Sequence, residues 1–284
     1  MDIYRGYNDF VNSKESFGVI VCDEVVPVLD WEFLIVDTKF IYYKHPQPPD
    51  VTFVVQGLSR LETYSKLVTN LLRFGYVEIS TWDVLDQPRV LNYISSNHIP
   101  NGQNIYLQCY TTLSGLQKCT TKFAIKVRAD EWYENFSLFI AAMKNYPNKI
   151  TTHNLFFRTF GQYPYHLSDH VIGGTKENLL KMFSTCKHLL ESKYQLPKIP
   201  RMLIQCPEQW LTVAYMKCFY KEEELPHHIT RKMITHFQVV PLPVFKDFLC
   251  TYQWNGTRYM IRGPNDIGNH SHAFAIKDIN KVGM

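Results

Sequence analysis

An α/β fold is predicted for this chain: a mainly parallel sheet flanked by helices, with β-rich decorations at both ends. Three observations point to it. Short apolar runs alternate with segments of helical periodicity across residues 51–220. The run Val51 to Gln56, closed by Gly57, has the largely unbroken apolar character of a strand buried on both faces. The sequence before residue 45 and after residue 236 is rich in β-formers and lacks that alternation. Hydrophobic residues make up 45% of the 284 positions and charged residues 20%, which supplies a core and argues against disorder.

In chain order, Trp31 to Tyr43 reads as a hairpin turning at Asp37-Thr38-Lys39. HPQPPD at 45–50 is the linker candidate, because its prolines remove amide donors. After the strand at Val51, Ser59 stands three residues before Glu62, the spacing of a capping box. Leu61, Tyr64, Leu67, Val68, Leu71 and Leu72 follow at helical spacing, and Gly75 is placed to end the helix. A second strand runs from Tyr76 to Thr81, completing a βαβ unit. Further on, the pattern predicts a helix over 104–118, a strand over Lys122–Val127, a helix over 134–145 and a strand over 149–156. Val171-Ile172 leads through Gly173-Gly174 into a long amphipathic helix, and Pro207 suits the first turn of another. FQVVPLPVF and TYQWNGTRYMIRG close the chain as irregular β structure.

Composition narrows the function classes. A formal charge of +4 without runs of Lys or Arg disfavours a nucleic-acid partner. No uninterrupted stretch of about 18 apolar residues is present, so no transmembrane helix is expected, and the acidic N-terminus lacks a signal peptide's apolar stretch. Seven cysteines with no CxxC pair read as reduced core thiols, and the expected location is cytoplasmic.

Ligands of open α/β sheets bind at the carboxyl ends of strands. Gly57 after the first strand would let a backbone amide approach a ligand, and the capped helix behind it favours negative charge. Gln56 stands beside it, and Ser80, Thr81, Trp82 and Asp83 form the neighbouring strand end. The GxGxxG and GxxxxGK[ST] spacings are absent, which disfavours dinucleotide and P-loop sites. Arg128-Ala129-Asp130-Glu131 could hold a divalent metal through carboxylate oxygens and a diphosphate through the arginine fork, or could be a strand end closed by an ion pair. In His166-Leu167-Ser168-Asp169-His170, Asp169 could serve as a general base, or could cap loop amides. His270 and His272 are a candidate ligand pair near the C-terminus.

The ordered pieces TFVVQG, EISTWD, a helix ending LSGLQ, FAIKVRADEW, FFRTF with YHLSDHVIGG, and CPEQWL resemble the WavE family over about residues 51–220, with a looser echo in QVVPL. The resemblance implies a GT-A-like, Rossmann-like glycosyltransferase of glycan biosynthesis, similar to enzymes of large DNA viruses of algae that decorate capsid glycans. It implies one glycosyltransferase domain over 1–284, made of a β extension (1–50), a nucleotide-sugar-binding core (51–220) and an acceptor-side region (221–284). The donor it implies is a UDP-sugar, with UDP-xylose as the candidate, and the acceptor is a hydroxyl of a glycan or glycoprotein.

Carried onto this sequence, the donor would lie against Gln56, Gly57, Ser80, Thr81, Asp83, Arg128 and His166. Asp130 and His272 would be metal ligands, for manganese first and magnesium as the alternative, and Asp169 the base of an inverting transfer. RAD departs from the DxD pattern in its first acid, so Arg128 or Lys126 would share the phosphates. The alternative is a non-catalytic carbohydrate-binding or assembly protein using Trp82, Trp132, Trp210 and Trp254 for ring stacking, although Trp132 and Trp210 read as core. A nucleotidyltransferase is disfavoured by the lack of a basic Gly-rich loop near residue 57.

Overall fold

Strand β3 (Val51–Gly57) is buried from Val51 through Gln56 because it lies inside the main sheet and is covered on both faces. Its side chains alternate: Val54 enters one hydrophobic cluster, while Val51, Phe53 and Val55 enter the other. The computed structural model describes residues 21–28, 31–41, 49–57, 61–81, 104–155, 165–194, 206–225, 235–254 and 257–266.

The main sheet has six strands, ordered β4 (Tyr76–Thr81), β3, β5 (Phe123–Arg128), β8 (Val171–Thr175), β7 (Ile150–His153) and β9 (Phe237–Val240). β3 pairs parallel with β4 and β5, and β7 pairs parallel with β9. Only β8 runs against its neighbours. The predicted mainly parallel α/β sheet is therefore the fold. Helices α1 (Leu61–Leu71) and α3 (Ser137–Asn145) cover one face. Helices α2 (Ile105–Lys118), α4 (Lys176–Glu191) and α5 (Pro207–Met216) cover the other. None of the described helices is long and apolar enough to cross a membrane.

Two smaller sheets flank the main one. β1 (Val21–Val28) and β2 (Trp31–Ile41) form an antiparallel pair. The predicted turn at Asp37-Thr38-Lys39 is instead interior to β2, and the chain reverses between residues 28 and 31. The C-terminal hairpin of β10 (Phe248–Trp254) and β11 (Thr257–Arg262) extends through the two-residue strand β6 (Trp132–Tyr133). The pairing Leu249↔Trp132 fastens this hairpin directly behind the RADE segment.

Gly173 and Gly174 belong to β8 rather than to a turn before α4. The reason is helix packing: a Cβ on Gly173 would stand 2.8 Å from the Phe139 ring and 2.9 Å from the Met143 sulfur, so α3 can cross here only over a glycine. α4 starts at Thr175, whose Oγ1 accepts a 3.3 Å bond from the Asn178 amide. α5 starts at Pro207 as expected, with Cys206 in the cap position and the Gln209 side chain accepting from the Cys206 amide at 3.3 Å.

Candidate active site

The carboxyl ends of β3, β4, β5 and β7 and the loop entering antiparallel β8 share one edge of the main sheet, because β8 starts where its neighbours end. Register sets the contacts: Gly57 faces Thr81, and Gln56 faces Arg128. Gln56, Gly57, Ser80, Thr81, Arg128, Asp130, Asp169 and His166 all fall among the described residues near this edge or on the loop that reaches it. Asp83, with Trp82, and His272 lie outside the described residues.

Among the described residues, the β3–β4 part of the edge is uncharged. Gln56, Ser80 and Thr81 are buried. Ser80 Oγ donates to the Thr111 carbonyl at 2.7 Å, and Thr111 Oγ1 reaches Gln56 Oε1 at 3.4 Å, so α2 pins both strand ends. Gly57 has φ +106°, a conformation that disfavours any L side chain, and a Cβ built on it meets nothing within 4 Å. No described residue crowds the backbone here.

The β5–β8 part is a web of charge. Arg128 grips Asp130 with both arms, Nε to Oδ1 at 3.0 Å and Nη2 to Oδ2 at 2.9 Å, and Thr251 Oγ1 of β10 donates to Oδ2 at 3.1 Å. Glu131 is fully buried. Its Oε2 accepts from Tyr133 Oη at 2.7 Å, while its Oε1 meets His170 Nδ1 at 2.6 Å and the Thr251 amide at 3.1 Å. Buried polar oxygens are costly unless hydrogen-bonded, and these three contacts use both oxygens of Glu131. Burial pushes the Tyr133 phenol well above its ordinary range, ahead of the influence of Cys250 and Glu131. Burial, helped by neighbouring His170, likewise holds His153 well below the usual imidazole value, so His153 is neutral.

Asp169 is 7% exposed and Gln108 Nε2 donates to its Oδ2 at 2.8 Å. Lys126, with no exposed surface, donates to the Asp169 carbonyl. Burial alone would raise the Asp169 carboxyl. Lys126 first, then His170 and Arg128, and the Gln108 bond overcome that and bring it down to about 2. Burial also lowers the Lys126 amine to about 8 despite the nearby Asp169 charge.

In the loop around Asp169, His170 reaches Glu131, and Ser168 supplies its carbonyl to Thr152 Oγ1 at 2.8 Å. Gln108 donates to the Asp169 carboxylate. His166 is buried beside Cys206 and Glu208 at the start of α5. Asp130 has the hard oxygens that manganese or magnesium take, and Arg128 donates to both of them. Trp210 is core, and Trp132 is partly buried with Lys66 Nζ 3.5 Å from its ring centroid.

Sequence reasoning named Glu131 only as the second acid of RADE and missed Gln108 and Thr251, which meet their partners from far away in the chain.

The WavE lipopolysaccharide synthesis family model matches residues 87–236. RAD, SDH and CPEQWL lie inside that span, whereas VVQG and STW precede it. No curated protein matches the chain. Among solved structures, a glycosyltransferase involved in glycosylation of the major capsid of PBCV-1 is similar at 10% identity, over 69% of this chain and 82% of that one, with a TM-score of 0.37. Residues 1–349 of S. aureus TarS in complex with UDP are similar at 11% identity, over 59% of this chain and 55% of that one, with a TM-score of 0.32. A putative glucose-1-phosphate thymidylyltransferase from Bacillus anthracis is similar at 7% identity, over 80% and 96% of the two chains, with a TM-score of 0.32. Scores this low mark distant likeness and decide nothing about chemistry. The family match covers more than half of the chain, and on that ground the protein belongs to the WavE lipopolysaccharide synthesis family.

Proposed function

We propose that this protein is a glycosyltransferase that moves a sugar from a nucleoside-diphosphate-sugar to a hydroxyl of a glycan. The observation that carries the reading is the division of one sheet edge into two parts: bare, uncharged backbone at Gly57, and an ionised, oriented carboxylate at Asp169 beside Arg128. The first suits the neutral base and ribose of a donor. The second suits the reacting end, where a hydroxyl must lose a proton as the diphosphate leaves. Family membership supports glycan synthesis as the setting.

In this reading Asp169 takes the acceptor proton and the anomeric centre inverts. A carboxyl held near 2 is a weak base, so the donor must help. A diphosphate placed near Arg128 adds negative charge close to Asp169, which raises its affinity for a proton when the acceptor is in place. Gln108 keeps one oxygen oriented.

Among the described residues, the three acids Asp130, Glu131 and Asp169 lie near two basic side chains, Lys126 and Arg128. That balance supports a divalent ion, manganese or magnesium, arriving with the donor. The donor is proposed as a UDP-sugar, with UDP-xylose as the first to try, and residues 221–284 as the acceptor side.

The test is thermal denaturation with UDP, GDP and their sugars, each with and without manganese. A nucleotide at 100 times its Kd stabilises the fold by about 2.7 kcal/mol, which raises Tm measurably. The expected result is a rise with UDP or a UDP-sugar. No shift with any nucleotide at millimolar concentration would sink the transferase reading and favour a carbohydrate-binding or assembly role.

A further inference from the structure

The loop that carries Asp169 also carries His166, and His166 meets the first residues of α5. A ring nitrogen of His166, Cys206 Sγ and a carboxylate oxygen of Glu208 all lie within 4.8 Å of one another. His166 and Cys206 are each 7% exposed, Glu208 is half-buried, and Cys206 is a free thiol. Glu208 Oε2 is buried, and the Cys206 thiol beside it is only a weak donor. A buried carboxylate oxygen is costly unless strong donors or positive charge meet it. A cation between the three side chains would meet it fully.

We propose that His166, Cys206 and Glu208 form a zinc site, completed by a water, that fastens the Asp169 loop to the N-terminus of α5. The donor set selects the metal. One thiolate, one imidazole and one carboxylate suit Zn²⁺, whereas Mn²⁺ and Mg²⁺ prefer all-oxygen surroundings. Three protein ligands and a water are a common tetrahedral zinc arrangement.

The spacing also fits. Bonds of about 2.0–2.3 Å around a tetrahedral zinc put ligand atoms roughly 3.3–3.6 Å apart, so side-chain shifts of about 1 Å close the present spread. As the Zn–S bond forms, Cys206 releases its proton to solvent, and the thiolate sits in the cap position of α5, where the helix favours negative charge.

This site is separate from Asp130 and does not rest on the sugar-transfer reading. The full chain is stripped with a chelator, then titrated with Zn²⁺ against a chromophoric competitor, and with Co²⁺ in parallel. The expected result is one equivalent of tightly bound zinc and a thiolate-to-cobalt charge-transfer band. Cys206→Ser should abolish the band and weaken zinc by at least about tenfold, with His166→Gln and Glu208→Gln weakening it as well. Circular dichroism confirms that each variant is folded.

If Cys206→Ser does not fold, the half-buried Glu208 position together with His166→Gln carries the comparison. Failure of the folded wild type to take up zinc overturns the proposal. So does uptake that is unchanged in the folded variants. Nucleotide binding in the same samples separates the two readings, since zinc uptake without any nucleotide binding supports this site and sinks the transferase.

Discussion

The two parts of the sheet edge solve different problems. Among the described residues, the groups at the ends of β3 and β4 are neutral, their hydrogen bonds run to α2, and nothing lies within 4 Å of a Cβ built on Gly57. At the end of β5 and the entry to β8, Lys126 and Gln108 hold Asp169, and Arg128, Asp130, Glu131 and His170 are tied into a second set with Tyr133 and Thr251, the two sets acting on each other through charge. Pairing and burial orient the charged groups in advance, so under the proposed transfer they would need no reorganisation at the moment of reaction. The integrity of the charged part then depends on every member.

The largest effect should come from breaking that dependence. Arg128→Met removes the ion-pair partner of Asp130 and the guanidinium 3.7 Å from buried Glu131, and losing one side of a buried ion pair costs about 3–5 kcal/mol. The Arg128 side chain is 27% exposed, so solvent screening places the loss at the lower end of that range. Ser80→Ala in the neutral part removes one hydrogen bond and should cost only about 1 kcal/mol. Chemical denaturation of both variants measures the contrast. Equal losses would mean that the web is no more than the sum of surface pairs.

Asp169→Asn comes next. Loss of general-base assistance should lower turnover by roughly 10²–10⁴-fold, with nucleotide affinity near normal. Affinity lost with turnover at saturation preserved would make Asp169 a binding residue instead. The same variant has a pH signature. Because the folded pKa, about 2, lies below the ordinary 3.8, ionised Asp169 contributes stability above about pH 4 that is lost as pH falls toward 2. The contribution is about 2 kcal/mol, and the acid limb of a stability–pH curve should flatten in the Asn variant. An unchanged limb would show that Lys126 and Gln108 do not favour the ionised carboxyl.

The contrast between the two parts also explains what could be read from the chain. β3, β4, β5, α2 and α4 were legible because burial on a sheet or helix face leaves a local periodic trace, as in VTFVVQ and KENLLKMFSTCKHLLE. Gly57 and the acids of RADE were legible as residue types at a strand end. Their partners were not. Gln108 reaches Asp169 across 61 positions, and Thr251 reaches Glu131 across 120, through a hairpin that reads locally as a terminal decoration. The reversal of β8 was hidden for a related reason, since Gly173-Gly174 looks like a turn until Phe139 and Met143 are seen against it.

The sharpest probe of the open part is Gly57→Ala. Two consequences must be kept apart. The backbone at φ +106° is unfavourable for an L residue, so alanine should lower stability by about 1–3 kcal/mol even though its Cβ meets nothing within 4 Å. That loss appears without ligand. The second consequence appears only with ligand: if the donor's base or ribose lies against this backbone, the methyl group occupies part of its space and weakens nucleotide binding. Larger side chains such as valine carry the same backbone strain and block more of the space, so affinity should fall from glycine to alanine to valine. Calorimetric titration of UDP at a temperature where all three are folded isolates the steric part. Affinity that is equal in the three proteins would move the nucleotide away from β3 and onto the charged part of the edge, and the division of labour drawn between them would fail.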